Sequence, residues 1–148
     1  MKIILYSPLE NKLSINALAG ALSTDTRTND LPVVFPDNPQ ALLQEAASAA
    51  ESESAVLSGF SFFSSQARQC AGLAARLREK LRDKIFLLAG GPHPSGAPEE
   101  TLRSGFDAVC LGEGEKTFIE LTAALDSGRD WRGRDGLAWL DRSKLKLG

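Results

Sequence analysis

The chain has 148 residues, enough for one domain with a buried core, and its 43% hydrophobic and 24% charged residues are ordinary for a globular protein. A net charge of -2 argues against a polyanion partner, so no nucleic acid is expected; the run Arg76–Lys84 contains Glu79 and Asp83 and reads as a solvated helix face. The apolar N-terminal run stops at Pro8, too short for a signal peptide or a membrane span, and a cytoplasmic, membrane-free protein is expected.

Lys2–Tyr6 predicts a strand buried on both faces. Leu13, Ala17, Leu18, Ala21 and Leu22 follow as a stripe at helical spacing. Leu31–Phe35 predicts a second strand, unsuited to the sheet centre because of Pro32. Asp37 or Asn38 caps a helix with Pro39 in its first turn and a body reaching Ala50. Ala55–Phe60 is a third strand, and Cys70, Leu73, Ala74, Leu77 and Leu81 mark an amphipathic helix. Ile85–Ala89 is a fourth strand ending at Gly90-Gly91. A short helix is expected near Pro98–Arg103, with Ser95 as a possible cap.

Ala108–Leu111 is the fifth strand, and Phe118, Leu121, Thr122 and Leu125 stripe a last helix ended by Gly128. Leu137–Leu140 is expected as an extra C-terminal edge strand. Alternating strands and helices predict an α/β fold of three layers: a five-stranded, doubly wound parallel sheet of the flavodoxin-like, Rossmann-like kind. Such sheets bind ligands beyond the carboxyl ends of their strands. That rule selects Ser7-Pro8, Ser58–Ser65, Gly90–Ser95 and Gly112–Glu115.

Ser58-Gly59-Phe60-Ser61-Phe62-Phe63-Ser64-Ser65 places phenylalanines where a surface loop is normally polar. Either they cover the sheet end, or they wall a pocket in which hydroxyls bond and aromatic faces pack against a large flat ligand. Gly90-Gly91 lets the backbone turn sharply and approach a ligand without a Cβ in the way. No G-x-G-x-x-G follows the first strand and no phosphate-cradling loop is present, which lowers the prospect of a nucleotide-hydrolysing enzyme. His93 is the single histidine, and no serine or cysteine partner for it is identifiable from sequence. Glu115 suits a helix first turn, while the glycines flanking Glu113 suggest close backbone packing rather than catalysis. Cys70 and Cys110 sit in apolar stretches as buried thiols, too few for a metal site.

Ala89-Gly90-Gly91-Pro92-His93-Pro94, Pro98-Glu99-Glu100, Gly105–Val109 and Gly112-Glu113-Gly114-Glu115-Lys116-Thr117-Phe118 occur in one order and spacing. Together they resemble the cobalamin-binding domain that precedes the catalytic barrel in radical S-adenosylmethionine proteins, and Gly136–Trp139 resembles the strand leading toward that barrel. The resemblance implies residues 1–130 as a cobalamin-binding domain and 131–148 as a linker or edge strand. It implies a corrin ring across the carboxyl end of the sheet, with the nucleotide tail threading into the domain. Ser58-Gly59-Phe60 matches the turn beside the tail, and Ser61, Phe62 and Ser64 continue along the corrin edge. Gly90-Gly91 lets the tail pass, Gly112-Glu113-Gly114 contacts its far side, Pro92 and His93 lie near the macrocycle, and Ser7 completes the set.

Two departures narrow this reading. Cobalamin mutases carry D-x-H-x-x-G after the first strand, whereas Ser7–Lys12 here has no histidine, so cobalt is expected to receive none from this loop. The C-x-x-x-C-x-x-C that holds an iron–sulfur cluster in radical proteins is also missing. Cluster and S-adenosylmethionine are therefore expected only in a separate C-terminal domain. The expected function is a non-catalytic cobalamin module. The alternatives are a cofactor-free docking or regulatory domain of the same fold, and an enzyme acting through His93.

Overall fold

The computed structural model describes residues 1–148. In chain order, β1 (Lys2–Tyr6), α1 (Lys12–Thr24) and β2 (Val33–Val34) lead to α2 (Pro39–Ser52), β3 (Val56–Ser61) and α3 (Ala67–Leu81). β4 (Ile85–Gly90), the short α4 (Pro92–Gly96) and α5 (Pro98–Arg103) precede β5 (Ala108–Cys110) and α6 (Glu115–Asp126). β6 (Leu137–Asp141) and β7 (Lys144–Leu147) close the chain.

The strands form one sheet in the order β2-β1-β3-β4-β5-β6-β7. The first five are parallel in the flavodoxin order, while β6 and β7 add as antiparallel neighbours. The sheet thus has seven strands rather than the expected five. Leu137–Leu140 does form a strand, but it lies inside the sheet, and β7 takes the edge. β7 escapes sequence reading because its turn, Arg142-Ser143, carries no glycine or asparagine although both residues take positive φ, 51° and 67°. Its lysines put charge on the exposed edge, which disfavours pairing with other chains. β2 contracts to two residues because Pro32 and Pro36 flank it. Their carbonyls accept from the amides of Ile3 and Ser7, both at 2.8 Å.

Each face of the sheet buries its own cluster. On one face, Leu42, Ala46 and Ala49 of α2 and the expected Cys70, Leu73, Ala74, Leu77 and Leu81 of α3 pack against Ile4, Val56 and Leu87. On the other, Ile15 and Leu22 of α1 meet Phe118 and Leu121 of α6 over Ile3, Leu57 and Leu88. Burying each such leucine or phenylalanine contributes about 1.5–3 kcal/mol. The expected α1 stripe holds only in part: Leu22 is buried and Leu18 half-buried against the sheet, but Leu13 is 88% exposed, and Ile15, outside the stripe, takes the inner face. Two stripes at helical spacing overlap in this helix, and only docking on the sheet selects between them.

Asn38 caps α2, its side chain accepting from the Ala41 amide at 2.9 Å, and Pro39 occupies the first turn. Ser95 caps nothing; it lies within α4, and its hydroxyl accepts from the Gly112 amide at 3.0 Å. α4 tolerates Pro92 and Pro94 because amides of a first helical turn have no intrahelical partner. Arg78 does more than face solvent: it donates to Asp107 at 2.5 Å and to the Ile85 carbonyl at 2.8 Å. No helix is long and apolar enough to cross a membrane.

Candidate functional site

The strand order reverses direction at β1 and β3, so the loops leaving their carboxyl ends diverge and open a crevice. A cavity of about 300 Å³ lies there, between α1 and α6 and above the ends of β3, β4 and β5. Gly59, Phe60, Ser61, Gly90, Gly91, Gly112, Glu113 and Gly114 of the expected site line it. Sequence reading missed the helical contribution of Ser14, Ala17, Leu18 and Phe118, and the strand residues Leu88 and Cys110. They belong to packing stripes, and nothing in a packing stripe distinguishes a residue over a hollow from one over a filled core.

The hollow opens where β3 and β4 carry glycines, Gly59 and Gly90, on its face. A Cβ on Gly90 would approach only Cys110, at 3.8 Å, and anything longer would enter the cavity. Gly91 is required for another reason. Its φ is 94°, and a Cβ there would stand 2.7 Å from the Ser61 hydroxyl and 2.9 Å from the Phe62 amide. The backbone of β4 is thus pressed against the loop after β3, and Phe62 donates its amide to the Gly90 carbonyl at 3.1 Å. Burial pushes the Cys110 thiol up to about 12, so the cavity wall it forms is neutral at physiological pH.

The remaining expected residues lie elsewhere. Ser58 is fully buried on the α2–α3 face with no hydrogen-bond partner for its hydroxyl. Ser7 is buried just past β1, its amide bonded to Pro36. Phe60 and Phe62 turn their rings into the α2–α3 core, with centroids 5.5 and 5.8 Å from Phe106, and do not plug the hollow. Phe62, Ser64 and His93 border a second depression of about 400 Å³ with Arg68, Glu100 and Thr101, while Pro92 is exposed in α4 beside it.

In that depression His93 does have a serine partner, contrary to the expectation. Its Nδ1 and the Ser64 hydroxyl share a hydrogen bond of 2.9 Å, its Nε2 lies 3.6 Å from a Glu100 oxygen, and its ring stacks on Phe62 at 6.0 Å. Glu100 is largely exposed there, so this cluster lacks the buried carboxylate that orients a catalytic histidine. Its partners come from the loop after β3 and from α5, which sequence spacing alone does not join.

A family model of the B12 binding domain matches residues 9–122, which span α1 through most of α6 and include every loop that borders the cavity. The chain belongs to the B12 binding domain family. This B12 binding domain is 39% identical over 74 residues to an uncharacterized methyltransferase of Pyrococcus horikoshii, an alignment covering 49% of the chain and 16% of that relative. Among solved structures it resembles OxsB, a cobalamin-dependent S-adenosylmethionine radical enzyme, with a TM-score of 0.72 and 15% identity over 99% of this chain and 21% of that one. It also resembles TsrM, a radical S-adenosylmethionine methyltransferase from Kitasatospora setae, with a TM-score of 0.73 and 19% identity over 99% of this chain and 30% of that one. A second TsrM structure, with cobalamin and a [4Fe-4S] cluster bound, gives a TM-score of 0.70 at 20% identity over 98% of this chain and 28% of that one. The B12 binding domain therefore spans less than a third of each of these proteins.

The residues present fit such a cofactor in part and by size. At about 300 Å³ the cavity has room for a flat base with its sugar and is too small for a corrin ring, and it opens at the carboxyl end of the sheet between glycines.

Proposed function

We propose that this domain carries cobalamin for a radical S-adenosylmethionine enzyme of the methyltransferase type. The observation that carries the reading is the hollow between α1 and α6, opened by Gly90 and bordered by the loops after β3, β4 and β5. In this reading the nucleotide tail enters the hollow and the corrin lies over the carboxyl ends of the strands. Gly59, Ser61, Gly90, Gly91 and Gly112–Gly114 flank the tail, while Phe62, Ser64, Pro92 and His93 lie nearer the macrocycle edge. No histidine from the loop after β1 reaches cobalt. Residues 131–148, whose hairpin of β6 and β7 extends the sheet, lead toward the catalytic barrel.

Bound cobalamin would supply the methyl-transfer chemistry; the domain binds and orients it, and the iron–sulfur cluster and S-adenosylmethionine belong to the neighbouring domain. That TsrM and the Pyrococcus horikoshii relative are methyltransferases supports methyl transfer, and the open hollow favours a cofactor-carrying domain over a cofactor-free docking one. Titration of the folded protein with hydroxocobalamin, followed by visible spectrum and calorimetry, tests this. Saturable binding at micromolar concentrations is expected. Absence of binding at tens of micromolar overturns the reading.

A further inference from the structure

The hollow between α1 and α6 is graded in polarity, and the grading bears on which corrinoid it takes; this inference rests on the cobalamin reading above. Its buried wall is made by Leu88, Cys110 and Phe118. Of the polar side chains, Ser14, Glu113 and Glu115 reach it from exposed positions at the rim, and the half-buried Ser61 stands at the carboxyl end of β3, outside that buried wall.

Natural corrinoids differ in the base that ends the nucleotide tail, and the bases offer this wall different chemistry. Dimethylbenzimidazole is flat and almost wholly apolar. Adenine has the same flat shape but carries an exocyclic amine and additional ring nitrogens that are hydrogen-bonded in water. Against a leucine, a phenylalanine and a thiol those groups lose water and gain no comparable partner, which is costly for every group left unpaired. We infer that this cavity selects corrinoids ending in an apolar benzimidazole base over those ending in adenine.

The inner wall also identifies the residue most able to relax the choice. Cys110 is the one buried wall side chain with a heteroatom, and serine replaces its sulfur with a stronger donor and acceptor of smaller size. Cys110→Ser should therefore narrow the preference without closing the cavity.

The test is calorimetric titration of the protein with cobalamin, with its adenine-containing analogue and with cobinamide, which lacks the nucleotide tail. Cobalamin is expected to bind at least tenfold more tightly than the adenine analogue, a ratio equivalent to about 1.4 kcal/mol. Free in solution, dimethylbenzimidazole holds cobalt more firmly than adenine does, so the ligands' own bias runs against this outcome. Cys110→Ser is expected to reduce the ratio at least threefold, with the fold checked by circular dichroism.

Equal affinities for cobalamin and the adenine analogue overturn the selectivity while leaving cobalamin binding intact. Cobinamide binding as tightly as cobalamin also overturns it, because the base then contributes nothing. An unchanged ratio in folded Cys110→Ser protein overturns the role given to the wall. If none of the three ligands binds, the cobalamin reading itself falls.

Discussion

Asn11 and Gln66 exchange side-chain amide hydrogen bonds in both directions, at 3.1 and 2.8 Å, across the crevice between β1 and β3. Asn11 also donates to the Ser61 carbonyl at 2.6 Å, and Gln66 accepts from the Phe63 amide at 3.0 Å. The loop that holds a cobalt-ligating histidine in cobalamin mutases is here tied to the loop beside the hollow. With Asn11 only 3% exposed, truncation strands its half-buried partners. Asn11→Ala should cost about 1–3 kcal/mol. For a chain of this size each kcal/mol lowers the melting temperature by about 2–4 °C. Thermal melts of Asn11→Ala, Gln66→Ala and the double variant should show losses that do not add, because each single change already breaks the pair.

Ser58 was a candidate for cofactor contact, yet it lies on the face away from the hollow with its hydroxyl unpaired. Ser58→Ala removes a buried polar atom that has no partner and leaves only a very small void. The melting temperature should stay level or rise, by an amount equivalent to at most about 1–2 kcal/mol. Hydroxocobalamin affinity should stay within about twofold of the parent, less than the tenfold that 1.4 kcal/mol represents. A clear fall in affinity would return Ser58 to the site.

Gly90→Val puts a branched side chain into the hollow at a strand position where β-branched residues are well accommodated. Its Cβ would touch only Cys110, at 3.8 Å, so stability should change little. Affinity for hydroxocobalamin should fall by more than about tenfold, or more than about 1.4 kcal/mol. Calorimetry and a thermal melt on one preparation separate the two effects.

Burial pushes the Cys70 and Cys110 thiols up from 9.0 to about 12. As pH rises the unfolded chain ionises first, so their contribution is complete below about pH 9 and is lost progressively toward pH 12. Tyr6, also raised chiefly by burial, acts in the same direction at higher pH. Stability should therefore hold steady between pH 7 and 8.5 and decline above pH 9, the ordinary thiol value, in denaturant titrations. A thiol-reactive disulfide reagent at pH 8 should modify neither cysteine until denaturant is added, since the thiolate is the reactive form.

The parallel core of the fold was legible because its strands are short apolar runs and its helices carry stripes at a single period. Cys70, Leu73, Ala74, Leu77 and Leu81 all lie buried on α3 as spacing required. Where two stripes overlapped, as in α1, spacing was mute; where strand alternation was broken by proline or hidden in Lys144–Leu147, strand lengths and number were misread. Gly91 was legible because its sharp turn and close approach to the loop after β3 leave few other residues possible. Asn11, Gln66 and the pairing of Ser64 with His93 were not, since polar contacts between distant loops have no period.

Taken alone, the sequence determined the doubly wound order of elements, the loops at the carboxyl edge and their likeness to a cobalamin domain, because these follow from local pattern and spacing. Tertiary structure decided which of those loops meet: Gly59, Ser61 and Gly90 with α1 and α6 over one hollow, Ser64 and His93 beside another. Successive strand residues point to opposite faces, so neighbours such as Ser58 and Gly59 part company once the sheet is covered on both sides.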